Sequence, residues 1–149
     1  MRVEDVLDDC AVKTVTVAPQ LSLAEATRLM CKAGAGAVVV MDNDLLQGIL
    51  TAGDILGGLS SAKTTDLVWN GPVGAAIVKE LPIVAVEQKI ARPIETMTAT
   101  GNDYLPVISG GAIRVVSLCR LLLVENALLH GEVQHLQNYI EALHDAPND

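Results

Sequence analysis

The chain has 149 residues, half of them hydrophobic, and carries 18 acidic against 10 basic side chains for a formal charge of −8. That length allows one compact unit or two very small ones, with a core built from Val, Leu, Ile and Ala because Phe is absent and aromatics are scarce. The negative balance disfavours nucleic acid and acidic membrane surfaces as partners, and the longest apolar run, around Ala35 to Met41, is far too short to span a bilayer.

No basic segment followed by an apolar stretch marks a signal peptide at the N-terminus. Cys10, Cys31 and Cys119 form no motif, and an odd count suits reduced thiols in the cytoplasm, the expected location.

In chain order, Val15 to Ala18 reads as a first strand. Ser22 and Glu25 have the spacing of a capping box, and Leu23, Ala26, Thr27, Met30 and Ala33 keep a helical period up to Gly34. Ala37 to Met41 is a β-branched run that suits a strand buried on both faces. Asp42-Asn43-Asp44 makes a turn, Leu46 to Leu50 returns as the antiparallel partner, and a helix starts at Ala52. Gly57 to Asp66 has the small, polar composition of a linker.

The pattern then repeats. Ile83 to Val86 falls over Val15 to Ala18, and the same offset sets Met97-Thr98 over Leu29-Met30 and Pro106 to Ile108 over Val38 to Val40. After a slightly shorter hairpin, Arg114 to Ser117 matches Gly48 to Thr51. The second copy thus has a helix over Ile94 to Ala99, strands over Tyr104 to Ile108 and Ile113 to Val116, and Gly110-Gly111 at the turn. Pattern carries the duplication, since few letters match. Each β-α-β-β-α unit puts its helices on one sheet face and leaves the other bare, so two copies can bury their bare faces together. The fold class is α/β of the α+β type, with tandem repeats whose sheets face each other and a long C-terminal helix. The expected organisation is 1–60 for the first repeat, 61–68 as linker, 69–122 for the second repeat and 123–149 as a helical extension and tail.

A doubled β-α-β-β-α unit whose final strand runs into Gly48-Ile49-Leu50-Thr51-Ala52-Gly53-Asp54 resembles a pair of CBS domains, a Bateman module. Tyr104-Leu105-Pro106-Val107 resembles the family's second strand, and Leu136 to Ile140 resembles the closing helix of small stand-alone members. The resemblance covers roughly Met1 to Leu122, with the tail in addition.

Thr51 and Asp54 sit where a strand becomes a helix, whose free N–H groups and positive dipole end suit a phosphate. A carboxylate there can accept from the two hydroxyls of a ribose, and Thr51 can bridge sugar and phosphate. The same pair also reads as an N-cap with a carboxylate that complements the dipole. The resemblance implies an adenine slot at Thr14, Val15, Ala35, Gly36 and Ala37, whose small residues suit a flat ring against backbone amides. A helix C-cap at Gly34 running into a strand explains the same letters. The second copy keeps a hydroxyl at Ser117 but has Arg114 in place of Gly48 and Arg120 in place of Asp54. Arg120 accepts nothing from a ribose, though it can hold a phosphate or pair with a carboxylate. One nucleotide per chain is therefore expected. Gly53 stands where the family often has Arg, which weakens the case for a triphosphate.

Leu122, Asn126, Leu129, Val133, Leu136, Ile140 and Leu143 alternate steps of four and three along the tail, an a/d stripe that suits packing between subunits or on a partner helix, and equally a face lying on the chain's own domain. His130, His135 and His144 do not cluster at metal spacing, and no nucleophile elbow, P-loop or acid/base pair is present. The expected function is a non-catalytic regulatory module, a homodimer with no catalytic cofactor. It would bind AMP or another adenosine compound (ADP, ATP, NAD or S-adenosylmethionine) and signal to an effector protein. The alternative is a structural interaction module whose clefts hold no ligand.

Overall fold

The structure, a computed structural model, describes residues 1–76 and 81–145. Residues 77–80, inside the expected second repeat, and 146–149, at the end of the expected tail, lie outside the described residues.

The chain opens with α1 (Val3–Cys10), β1 (Ala11–Val12) and β2 (Thr14–Val17), followed by α2 (Leu23–Ala33), β3 (Ala37–Asp42), β4 (Leu45–Leu50) and α3 (Ala52–Ser61). Two short helices follow, α4 (Thr65–Asn70) and α5 (Val73–Ala76). Then come β5 (Val84–Ala85), α6 (Ala91–Thr100), β6 (Tyr104–Ser109), β7 (Ala112–Ser117) and α7 (Leu118–His144). The β-α-β-β-α order thus occurs twice, with a long final helix.

Local chemistry sets the boundaries. Ser22 is extended and its hydroxyl accepts from the Glu25 amide, which starts α2; Gly34 at φ 63° ends it in the left-handed conformation that glycine adopts without Cβ strain. The segment expected as a linker is helical at both ends, because α3 continues through Gly57 and Gly58 to Ser61 and α4 begins at Thr65. The strand expected over Ile83 to Val86 shrinks to Val84–Ala85. Its pairing with β6 starts only at Val107, beyond Pro106, which has no N–H to give a ladder.

Two sheets result, with strand orders β2-β3-β4 and β1-β7-β6-β5. In the first, β2 and β3 run parallel and β3 and β4 antiparallel. In the second, β5 and β6 are parallel, β6 and β7 antiparallel, and β1 adds to the far edge against β7. Strand alternation divides the core into three layers. Val38, Val40 and Leu50 turn to the helix side of the first sheet, with Leu23, Ala26, Met30 and Ile55. Leu105, Val107 and Val116 turn to the helix side of the second, with Met97 and Leu121. Ala37, Val39, Ile49 and Val115 form the layer between the sheets, where the two bare faces meet.

The outer layers do not follow chain order. Val3, Val6, Leu7 and Cys10 of α1 belong to the helix-side core of the second sheet, and β1 is that sheet's edge. Conversely Val73, with Val68 and Trp69, packs into the helix-side core of the first. Each half of the fold is therefore completed by a piece of chain from the other.

Candidate functional site

Strand β4 ends at Leu50, buried, and the chain turns into α3 through Thr51. Thr51 is extended and is the N-cap, and Asp54 completes a reciprocal capping box. The Thr51 amide and the Thr51 hydroxyl both donate to Asp54 Oδ2 at 3.0 Å, and the Asp54 amide donates to Thr51 Oγ1 at 3.4 Å. Two of the helix's orphan amide groups are satisfied this way, and the carboxylate is fixed at the positive end of the dipole.

A cleft of about 630 Å³ opens at this point. From the first repeat it is lined by Gly36, Thr51 and Asp54 and by the small residues Gly53, Gly57, Gly58 and Ser61 of α3. From the second it is lined by Gly101, Asn102, Asp103 and Tyr104. Gly36 must be small here. Its amide donates to Lys13 O at 2.8 Å, and a Cβ on it would lie 3.2 Å from the Val12 side chain, which tightly limits any larger residue.

Of the residues expected at the site, Gly36, Thr51 and Asp54 meet in this cleft. The rest of the expected adenine slot is not among the residues lining it. Thr14 pairs in register with Ala37, and Ala37 is fully buried in the layer between the sheets. Val15 and Ala35 pack against the helix-side core of the first sheet.

Ser117 lines a second cleft of about 610 Å³, with Leu118, Cys119, Leu122 and Asn126 of α7 and again Asp103 and Tyr104. Ser117 is buried and caps α7 by accepting from the Arg120 amide at 3.3 Å. The Arg120 side chain is not among the residues lining either cleft. Its Nη1 donates to Ala11 O at 2.9 Å, which ties α7 to β1.

Asp103 and Tyr104, common to both clefts, were not expected there. The signal lay in the repeat: Asp103-Tyr104-Leu105 falls over Ala35-Gly36-Ala37, so the strand entry that forms one wall of the first cleft has a counterpart forming another. Among the described residues no group of three or more His, Cys, Asp or Glu side chains could hold a metal ion, and no helix is long and apolar enough to cross a membrane. His130 and His135 are solvent-exposed on α7, as is His144 at its last turn.

Residues 3–61 match the family model of the CBS domain, which spans the first β-α-β-β-α unit and its capping box. The first repeat is thus similar to a CBS domain. The fold of the chain is that of the CBS-domain protein ATU1752 from Agrobacterium tumefaciens, with a TM-score of 0.72 and 25% identity over 84% of this chain and 99% of that one. It also has the fold of CBSX2, solved in complex with AMP, at a TM-score of 0.66 and 16% identity over 85% of this chain and 97% of that one. In sequence it is 26% identical over 126 residues to a 17.7 kDa protein from Acidianus ambivalens, covering 80% of this chain and 74% of the relative. The CBS-domain proteins it is similar to are generally non-catalytic regulatory modules.

Proposed function

We propose that the cleft between the two CBS repeats binds one adenosine-containing ligand of the AMP class, and that its occupancy regulates an effector protein through a homodimer of this chain. The observation that carries this reading is the position of Asp54 at the N-terminus of α3, in a cleft shared with the second repeat. A carboxylate has about four lone-pair sites, so ribose hydroxyls can be added to, or exchanged for, its present partners. The α3 amide groups and the Thr51 hydroxyl suit a phosphate beside it. Gly36 leaves room for a flat base against backbone, and Tyr104, half-buried on the opposite wall, offers it an aromatic face. The ligand would touch both repeats at once and so favour one arrangement of them over another. The AMP complex of CBSX2, which shares this fold, supports the choice of ligand class.

Calorimetric titration with AMP, ATP, NAD and S-adenosylmethionine tests the reading. Asp54→Asn keeps an acceptor for the capping box but removes the charge, and is expected to weaken binding roughly ten- to hundredfold. Unchanged affinity in that variant removes Asp54 from the site. One observation favours a second reading, an interaction module with no ligand: Asp54 and Arg120 both already have structural partners, in a cap and on a backbone carbonyl. Absence of heat with all four compounds supports that alternative.

A further inference from the structure

Helix α7 is 27 residues long, and only its root rests on the body of the protein. There Leu121 is fully buried, and Val124 and Leu128 pack beside it in the core under α1 and α6. A neighbouring face carries the four-three stripe. Its apolar members are between 45 and 62% exposed, and no described element covers them from Val133 to Leu143.

We propose that this stripe is the seam of a parallel, in-register, two-stranded coiled coil with a second copy of the chain. The idea rests on the homodimer part of the proposed function and is independent of the nucleotide. Its first support is period: a strict seven-residue repeat keeps one stripe facing one partner, whereas a helix lying on a globular surface needs a broader apolar face. The second is residue type. Reading the repeat in heptads puts Asn126, Val133 and Ile140 at a, and Leu122, Leu129, Leu136 and Leu143 at d. β-Branched residues at a with Leu at d favour two parallel strands.

Asn126 chooses the register. In a parallel pair it meets its own copy and the two amides can bond each other. In an antiparallel pair centred on the stripe it meets the apolar far end and is left without a partner. The flanking charges agree. A parallel seam sets Glu125 beside His130 of the other copy and Glu132 beside Gln137, with no like charges opposed. The antiparallel arrangement sets Glu132 against Glu132. From Gly131 onward the side away from the seam is polar: Gln134 donates to Asn138 Oδ1 at 3.1 Å, and an added Cβ at Gly131 would meet nothing within 4 Å.

Disulfide trapping on the full chain tests this. Cys31 and Cys119 are replaced by serine, and a single cysteine is placed by Val133→Cys, Leu143→Cys or Asn138→Cys. Mild oxidation is followed on non-reducing gels, with circular dichroism confirming the fold of each exposed-site variant. An in-register parallel seam brings the 133 and 143 positions each within disulfide reach of their copies. Both are expected to link at least tenfold faster than the outward-facing 138 position. Linking at 133 without 143 means an antiparallel pair and overturns the proposal; linking at neither means that something else covers the stripe and overturns it too. Light scattering under reducing conditions separates the failures, because a dimer without the 143 link sinks the seam alone, whereas a monomer sinks the homodimer as well.

Discussion

Arg114 and Arg120 are the two positions at which the second repeat departs most from the first, and both reach back to the N-terminus of the chain. Arg114 Nη1 lies 2.6 Å from Asp8 Oδ1 on α1, and Arg120 Nη1 donates to Ala11 O. The residues that replace Gly48 and Asp54 therefore anchor the segment that completes the second sheet. The Arg114 pair is exposed and contributes little. Arg120 makes a charge-assisted bond to the Ala11 carbonyl, so Arg120→Met is expected to cost about 1 kcal/mol in urea unfolding. AMP affinity should stay within about twofold, because the side chain is outside the Asp54 cleft. A large loss of affinity would put Arg120 in a binding role instead. Under the same bond lies Cys10, fully buried, whose thiol pKa is raised from its ordinary 9.0 mainly by burial, further by Asp9, and against the pull of Arg120. Well below 9.0 both native and unfolded chains keep the proton; as the pH rises through 9.0 the unfolded chain releases a proton that the native one retains. Stability must then fall as pH rises. Urea midpoints should drop between about pH 8 and about pH 10, and drop less in Cys10→Ala. An equal drop in both would assign the alkaline loss to other groups.

Elements with a local cause were legible in the sequence, whereas those fixed by distant contacts were legible only in part. α2, β3 and β4 follow from Ser22, Gly34, the valine run and the Asp42-Asn43-Asp44 turn, and the structure has each at the expected place. α1 was not among the expected elements, although Val3, Val6, Leu7 and Cys10 have helical spacing. No local signal tells that α1 packs on the second sheet, or that α4 and α5 return to the first. Glycine composition misled at 57–58, where α3 continues and its small residues line the cleft. The candidate site shows the same division: the Thr51–Asp54 box is local and readable, while Asp103 and Tyr104 arrive from the other repeat. In α7, Gly131 is the weak point of an otherwise strong helix. Its absent side chain faces open space, so Gly131→Ala should stabilise the helix by up to about 1 kcal/mol and raise the melting temperature followed by circular dichroism. A lower melting temperature would mean that something in the assembled protein packs against that glycine.

On the scale of the whole molecule, the exchange of end segments couples the two halves. β1 ends at Val12 and β2 begins at Thr14, so Lys13 alone carries the chain from one sheet to the other. The sheets also share the layer of Ala37, Val39, Ile49 and Val115. Unfolding the first half would strip that layer and pull on the edge strand of the second; unfolding the second would release α1, which no other element of the first half can cover. Cooperativity across the whole chain follows. The protein contains its own probes for this. Trp69, its one tryptophan, packs into the helix-side core of the first sheet, and the Cys10 thiol is sealed in that of the second. Tryptophan fluorescence and thiol labelling, each followed through a urea titration, should give midpoints that agree within about 0.2 M. Two separated midpoints would mean that the repeats unfold independently and that neither the crossed segments nor the shared layer couples them. Agreement would also bear on regulation, since a ligand seated between two halves that are energetically coupled can be felt by both.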